Sequence, residues 1–261
     1  MINKMSFTLI CMVFFSVCLV GSSKSMVVKK NGKREIFDKV SAKDNGDLIV
    51  TKGKIKTKIN KSAYLYVVTP KTTSLKKASE LLKKGDNAKA AAAFAKLYKK
   101  YKYLGWGAYC LYYAGYAYEK AGDKSQAASQ LKKLDRKPFN PKAQIYYYGA
   151  KKILGKIYLD NKEYTNLEGI VKDLYDSKRG DFAAYANNLM GDVYMQQGKV
   201  KDAKLMYMRT ALLYDSSNRK DRPEALVKII KILKSERNIK SQEFVKILEK
   251  DYPGTAYLKQ I

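Results

Sequence analysis

Glu119 and Asp123 stand four residues apart, a spacing that stacks two carboxylates on one helical face. Paired carboxylates are the working groups of glycoside hydrolysis, one acting as acid and the other as base or nucleophile. Here the second member follows Gly122 in a Gly-Asp break between two helical runs, where aspartate is expected as a helix cap. No histidine occurs in the 261 residues. That removes Ser-His-Asp and Cys-His nucleophile pairs, histidine-ligated zinc and the commonest general base. Cys11 and Cys18 lie in an apolar N-terminal run, leaving Cys110 alone in "GAYCLYYAG". One thiol makes no intrachain disulfide and no cysteine-rich metal site, and these neighbours predict a buried apolar residue. The expectation is a protein that is not an enzyme and that uses no metal and no cofactor.

Aromatic residues offer a different kind of chemistry. "YCLYYAGYAY" places Tyr109, Tyr112 and Tyr116 at i, i+3 and i+7, on one helical face, and "IYYYG" (145–149) adds more tyrosines. Aromatic anchors with a few lysines and asparagines suit the recognition of an extended peptide.

The elements that would carry them are written as a repeat. "AGYAYEKAGD" (114–123) returns as "LGKIYLDNKEY" (154–164) and as "MGDVYMQQGK" (190–199). The glycines Gly115, Gly155 and Gly191 recur at intervals of 40 and 36 residues, and the turn glycines Gly85 and Gly122 at 37. A glycine on the first helix of each pair lets the second approach closely, and Tyr118, Tyr158 or Tyr194, about a turn later, fills the gap. Ala127 and Ala203 do the same from the opposite helix. Each pair then leaves an apolar edge that only the next pair can cover, so the units stack.

These residues resemble the tetratricopeptide repeat, a helix-turn-helix unit of about 34 residues. The resemblance covers roughly 75–256, as about four repeats plus a degenerate fifth pair, "RPEALVKIIKILKSE" and "SQEFVKILEKDY". With units a few residues longer than the family's, "FAKLYKKY" early and "LEKDYPGTAY" late, it is similar to two bacterial envelope types within that family, the Tol-Pal coordinator and the lipoprotein of outer-membrane barrel assembly. It implies a mainly α solenoid with a concave groove lined by first helices. The groove positions it implies are Tyr109, Tyr112, Tyr116 and Glu119, then Lys152 and Lys156, then Tyr185, Asn188, Asp192 and Met195.

Residues 26–69 read differently. Asn31-Gly32 and Asn45-Gly46 sit between extended runs and predict tight hairpins with positive φ; Gly53 offers a third turn. Ile55, Thr57 and Ile59 alternate with Lys54, Lys56 and Lys58, giving one apolar and one charged face. Four or five short strands are expected, as a small β meander or barrel that resembles SH3-like or Sm-like modules and caps the helices. Residues 70–74 read as a polar linker.

Lys4, the 14-residue apolar run Phe7–Val20 and the small residues of "GSSKS" predict a signal peptide over 1–25, cleaved after Ser23 or Ser25. The chain is then exported to the periplasm or cell envelope. Net charge is +28, carried mostly by lysines dispersed along the helices. The leading expectation is a scaffold that binds a protein or peptide partner in its groove, with weak contact to anionic membrane or glycan surfaces. The alternative is an electrostatic binder of anionic lipid, cell-wall glycan or nucleic acid. An export signal and a preference for Lys over Arg both argue against nucleic acid.

Overall fold

A computed structural model describes residues 24–261. Residues 1–23 of the predicted signal peptide lie outside the described residues.

Six strands come first, where four or five were expected: β1 (Ser25–Lys29), β2 (Arg34–Phe37), β3 (Lys39–Ala42), β4 (Leu48–Lys52), β5 (Ile55–Ile59) and β6 (Tyr64–Val68). They form two three-stranded antiparallel sheets, ordered β2-β1-β6 and β3-β4-β5. A plain meander would pair β6 with β5. Instead β6 returns to β1, with Val27 opposite Val67.

Both Asn-Gly hairpins turn by a mechanism other than the predicted one. Only the glycines are left-handed, Gly32 at φ 81° and Gly46 at φ 90°. Asn31 and Asn45 act through their side chains, each Oδ1 accepting from the amide two residues on, at 3.0 Å. The Gly32 amide closes on the Lys29 carbonyl and the Gly46 amide on the Lys43 carbonyl, which makes each a three-residue loop ending in a left-handed glycine. On β5 the expected apolar face is reduced to Ile59, because Ile55 is 72% exposed at this sheet edge.

Ten helices follow as five antiparallel pairs: α1 (Thr73–Lys83) with α2 (Asn87–Tyr101), α3 (Gly107–Lys120) with α4 (Lys124–Leu131), α5 (Pro141–Asp160) with α6 (Tyr164–Tyr175), α7 (Gly180–Gln196) with α8 (Val200–Leu213), and α9 (Asp221–Ser235) with α10 (Ser241–Asp251). Every pair turns through one left-handed residue in the same place: Gly85, Gly122, Lys162, Gly198 and Arg237. A left-handed residue after the last helical turn lets the following amides satisfy that turn's free carbonyls. The amide of Asp86 bonds the Leu81 carbonyl, and those of Asp123, Glu163, Lys199 and Asn238 bond Tyr118, Tyr158, Tyr194 and Leu233 in the same way. In the third and fifth pairs a charged residue, Lys162 or Arg237, takes this conformation without glycine's freedom, so those two turns carry no glycine signal in the sequence.

The segment read as a linker is not a spacer. α1 starts at Thr73, capped by Thr72, whose hydroxyl accepts from the Leu75 amide. The Trp106 indole N–H donates to the Thr69 carbonyl and hydroxyl, and a β-carbon on Gly105 would be driven into the Val67 carbonyl. Val27, Leu48 and Val67 share one buried core with Leu75, Phe94 and Tyr109. The strands therefore cover the open edge of the first helix pairs. Two further cores follow along the chain, around Leu131, Leu154 and Leu189, and around Tyr207, Ile230 and Leu248. None of the described helices is long and apolar enough to cross a membrane.

Candidate partner-binding face

The first helices of successive pairs pack side by side, α3 on α5, α5 on α7 and α7 on α9. Close approach within a pair rests on the small residues. A β-carbon on Gly115 would enter Leu131 and one on Gly191 would enter Tyr207, while one on Gly155 would stand 3.2 Å from Ile170 of its own pair and 2.7 Å from Leu189 Cδ2 of the next. Ala127 and Ala203 are fully buried, Tyr158 is buried, and Tyr118 and Tyr194 are half-buried.

At α3 and α5 the face is aromatic. Tyr112 and Tyr116 stack at 6.2 Å between centroids with 21° between planes, and Tyr146 of α5 joins Tyr112 at 5.7 Å. Tyr112 lies on Gly149, where a β-carbon would stand 2.7 Å from the ring's Cε2. Lys120 Nζ stands 5.5 Å from the Tyr116 centroid, a cation–π distance. All three tyrosines remain half-buried. Desolvation, then the neighbouring phenols, pushes Tyr146 up to about 12.

Tyr109 departs from its expected place. It is 6% exposed and packs with Phe94, Trp106, Tyr113 and Tyr146, while its hydroxyl accepts from Lys71 Nζ at 2.7 Å. It lies one turn nearer the helix start, where Ser79 of α1, Phe94 of α2 and Lys71 close over it, so it belongs to the core and not to a groove wall. Cys110 is likewise fully buried, and desolvation pushes its thiol up to about 12. The two carboxylates make separate local contacts. Asp123 caps α4, accepting from the Gln126 amide at 2.9 Å, and Glu119 reaches only Lys120, at 3.9 Å.

From α5 to α9 the face is polar and already engaged. Tyr185 donates to the Lys152 carbonyl at 2.7 Å, and the Lys152 ammonium stands 4.3 Å from that ring's centroid. Asp192 accepts from Lys228 at 2.7 Å and from the Tyr207 hydroxyl at 2.6 Å, while Lys228 also bonds Glu224 at 2.7 Å. Burial alone would lower Lys228, but the Asp192 and Glu224 carboxylates outweigh it and hold the ammonium above its ordinary value. Desolvation and then Asp192 push the Tyr207 phenol far up. Asn188 also departs from its expected place: it is 3% exposed, wedged between α7 and α9, and donates to the Asp221 carbonyl at 2.7 Å. Lys152 Nζ lies 3.7 Å from Asp221 Oδ1, and among the described residues neither Asp221 Oδ1 nor Asn188 Oδ1 has a hydrogen-bond partner. Lys156 and Met195 are exposed.

Sequence reasoning missed Tyr113, which sits inside the aromatic cluster, and Asp221, Glu224 and Lys228, which complete the polar end. Glu224 and Lys228 carried a signal in their i, i+4 spacing. It lay in the pair that read as degenerate.

In comparison with known proteins, the sequence model of a tetratricopeptide repeat-like domain matches residues 56–232. The match covers more than half of the chain, starting in β5 and ending within α9. No curated protein matches the chain.

Proposed function

The chain belongs to the tetratricopeptide repeat-like family, and from that premise we propose that it is a non-enzymatic scaffold that holds a partner polypeptide along its first-helix face. Repeat domains of this kind mediate protein–protein contact. The observation that carries the reading is the cluster of Tyr112, Tyr116 and Tyr146, whose rings are half in water although they sit at the joint of two units. Rigid aromatic side chains that keep a wet edge are the side chains that anchor interfaces. The partner's extended segment lies across these rings and continues toward Lys156 and Met195. The polar network from Lys152 to Lys228 keeps α5, α7 and α9 in register behind it.

The place of action is the cell envelope, reached through the N-terminal signal. Cleavage after Ser23 would leave β1 whole, whereas cleavage after Ser25 would remove its first residue, which pairs with Phe37. The first site is the one we propose. In this setting the chain works like the envelope repeat proteins it resembles, with the strands as a cap. The lysine excess supports a second reading, adhesion to anionic lipid or glycan, which would weaken steeply with salt.

Photocrosslinking in the source cell tests the first reading. A crosslinking residue replaces Tyr116, with Lys132 on the second-helix side as control. One defined protein captured at 116 and not at 132 is the expected result. Lipid or polymer collected at 132, with nothing at 116, would overturn it.

A further inference from the structure

A cavity of about 350 Å³ opens at the seam between the strands and the repeats, away from the tyrosine face. β6 forms one wall, the turn between α2 and α3 (Lys102, Tyr103, Gly105) a second, and the α4–α5 loop a third. Its floor is apolar, with Val67, Leu111 and Leu134 all buried. Phe139 stands at its rim, a large ring 69% exposed.

Three lysines surround the opening: Lys61 in the turn that leads into β6, Lys102 at the end of α2 and Lys133 in the α4–α5 loop. Among the described residues none of them has a carboxylate within 4.0 Å, the reach of an ion pair. Lys61 and Lys102 stand 5.9 and 4.8 Å from the Tyr103 centroid, and Lys61 stands 4.3 Å from that of Tyr64. Lys133 donates only to Gln130. The acids that act on these walls are Asp135, which acts on Tyr98, and Asp47, whose carboxylate is already taken by Lys58 and the Lys61 amide. Burial, then Lys30, lowers the Lys61 ammonium, so that cation is held without a compensating anion.

We propose that this cavity is a second binding site, which takes an acidic segment of a partner polypeptide bearing an apolar or aromatic side chain between its carboxylates. The apolar side chain enters between Tyr103 and Phe139 and covers the exposed ring; the carboxylates meet the three lysines. Cations set on three separate elements match acids spaced along a chain, not the single centre of a phosphate. The volume lies at the low end of the ~300–1,000 Å³ of small-ligand pockets, room for one or two side chains. The proposal shares with the scaffold reading only the premise that the partner is a polypeptide.

The probe is a fluorescein-labelled peptide, Glu-Asp-Glu-Phe-Glu-Asp-Glu, followed by fluorescence anisotropy with the full chain at low salt. Binding is expected to weaken about tenfold or more in Phe139→Ser and in Lys102→Glu, and when serine replaces the peptide's phenylalanine. Lys246→Glu, exposed on α10, and Tyr116→Ala should leave it unchanged, the latter separating this site from the tyrosine face. Phe139 is so exposed that its loss leaves the fold intact. The proposal is overturned if the peptide does not bind, or if Lys246→Glu weakens it as much as Lys102→Glu. Equal binding of the serine peptide, with full competition by phosphatidylglycerol vesicles or inorganic phosphate, would overturn it too and mark a general anion site.

Discussion

Gly191 lies flat against the ring of Tyr207, so close that a β-carbon at 191 would be driven into Tyr207 Cε1. The ring has nowhere to go: it is 1% exposed and its hydroxyl donates to Asp192. Gly191→Ala should therefore lower stability by about 1–3 kcal/mol, the usual cost of overpacking. Gly169→Ala, on α6 with open space where the β-carbon would go, should instead raise it by about 0.4–1 kcal/mol. Denaturant unfolding of the two variants checks this, and shifts of the same sign would refute it.

Lys152 and Asp221 form an ion pair that is within reach but beyond a hydrogen bond, at 3.7 Å. Desolvation lowers the first and raises the second, so each charge is only partly compensated by the other. Lys152→Met or Asp221→Leu alone leaves a buried charge unpaired, at a cost of up to about 3–5 kcal/mol. The double variant should regain most of that loss. A double-mutant cycle measures the coupling, and costs that simply add would sink the idea.

Asp47 supplies a pH dependence of known sign. The Lys58 hydrogen bond first, then the Lys61 amide, holds its carboxyl at about 2. An aspartate depressed in the folded state stabilises above its unfolded pKa of about 3.9 and loses that benefit as pH falls toward the folded value. Asp47→Asn should thus melt below the parent at pH 7, with the gap closing between about pH 4 and 2. Thermal melts at both ends decide it; a gap of unchanged size at pH 2 means that the lost contact was not ionic.

The strands and the first helices should unfold together. Leu48 of β4 is fully buried in the core that also holds Leu75 and Phe94. Leu48→Ala is expected to cost about 2–5 kcal/mol. Because the core is shared, the loss should appear equally in helical circular dichroism and in the fluorescence of Trp106, the sole tryptophan. Two separated transitions would mean that the strands fold as an independent module.

Much of the helical architecture was legible because its rules are local. Gly-x-x-Tyr on one helix and alanine on the next describe contacts within a pair, and a glycine turn needs only its own neighbours. The strands were legible as extended runs for the same reason. Their count and closure were not, since the pairing of β6 with β1 joins residues about forty apart.

The face itself was only partly legible. Tyr109, Tyr112 and Tyr116 share one helical stripe, yet Tyr109 is buried against α1 and α2 while the other two keep a wet edge. Helical spacing says which way a side chain points; it does not say what stands opposite. Asn188 and Asp192 read as free groove residues, but their partners Asp221 and Lys228 arrive from α9.

By itself, then, the sequence determined a chain of stacked helix pairs behind a small set of strands, without histidine chemistry, because composition, spacing and turn residues act over a few positions. Only the tertiary structure decided which tyrosines are core and which are surface, which charges are already paired, and that a cationic cavity opens at the seam. Those depend on contacts between elements 30 to 40 residues apart, where burial, and not residue type, sets what a side chain can do.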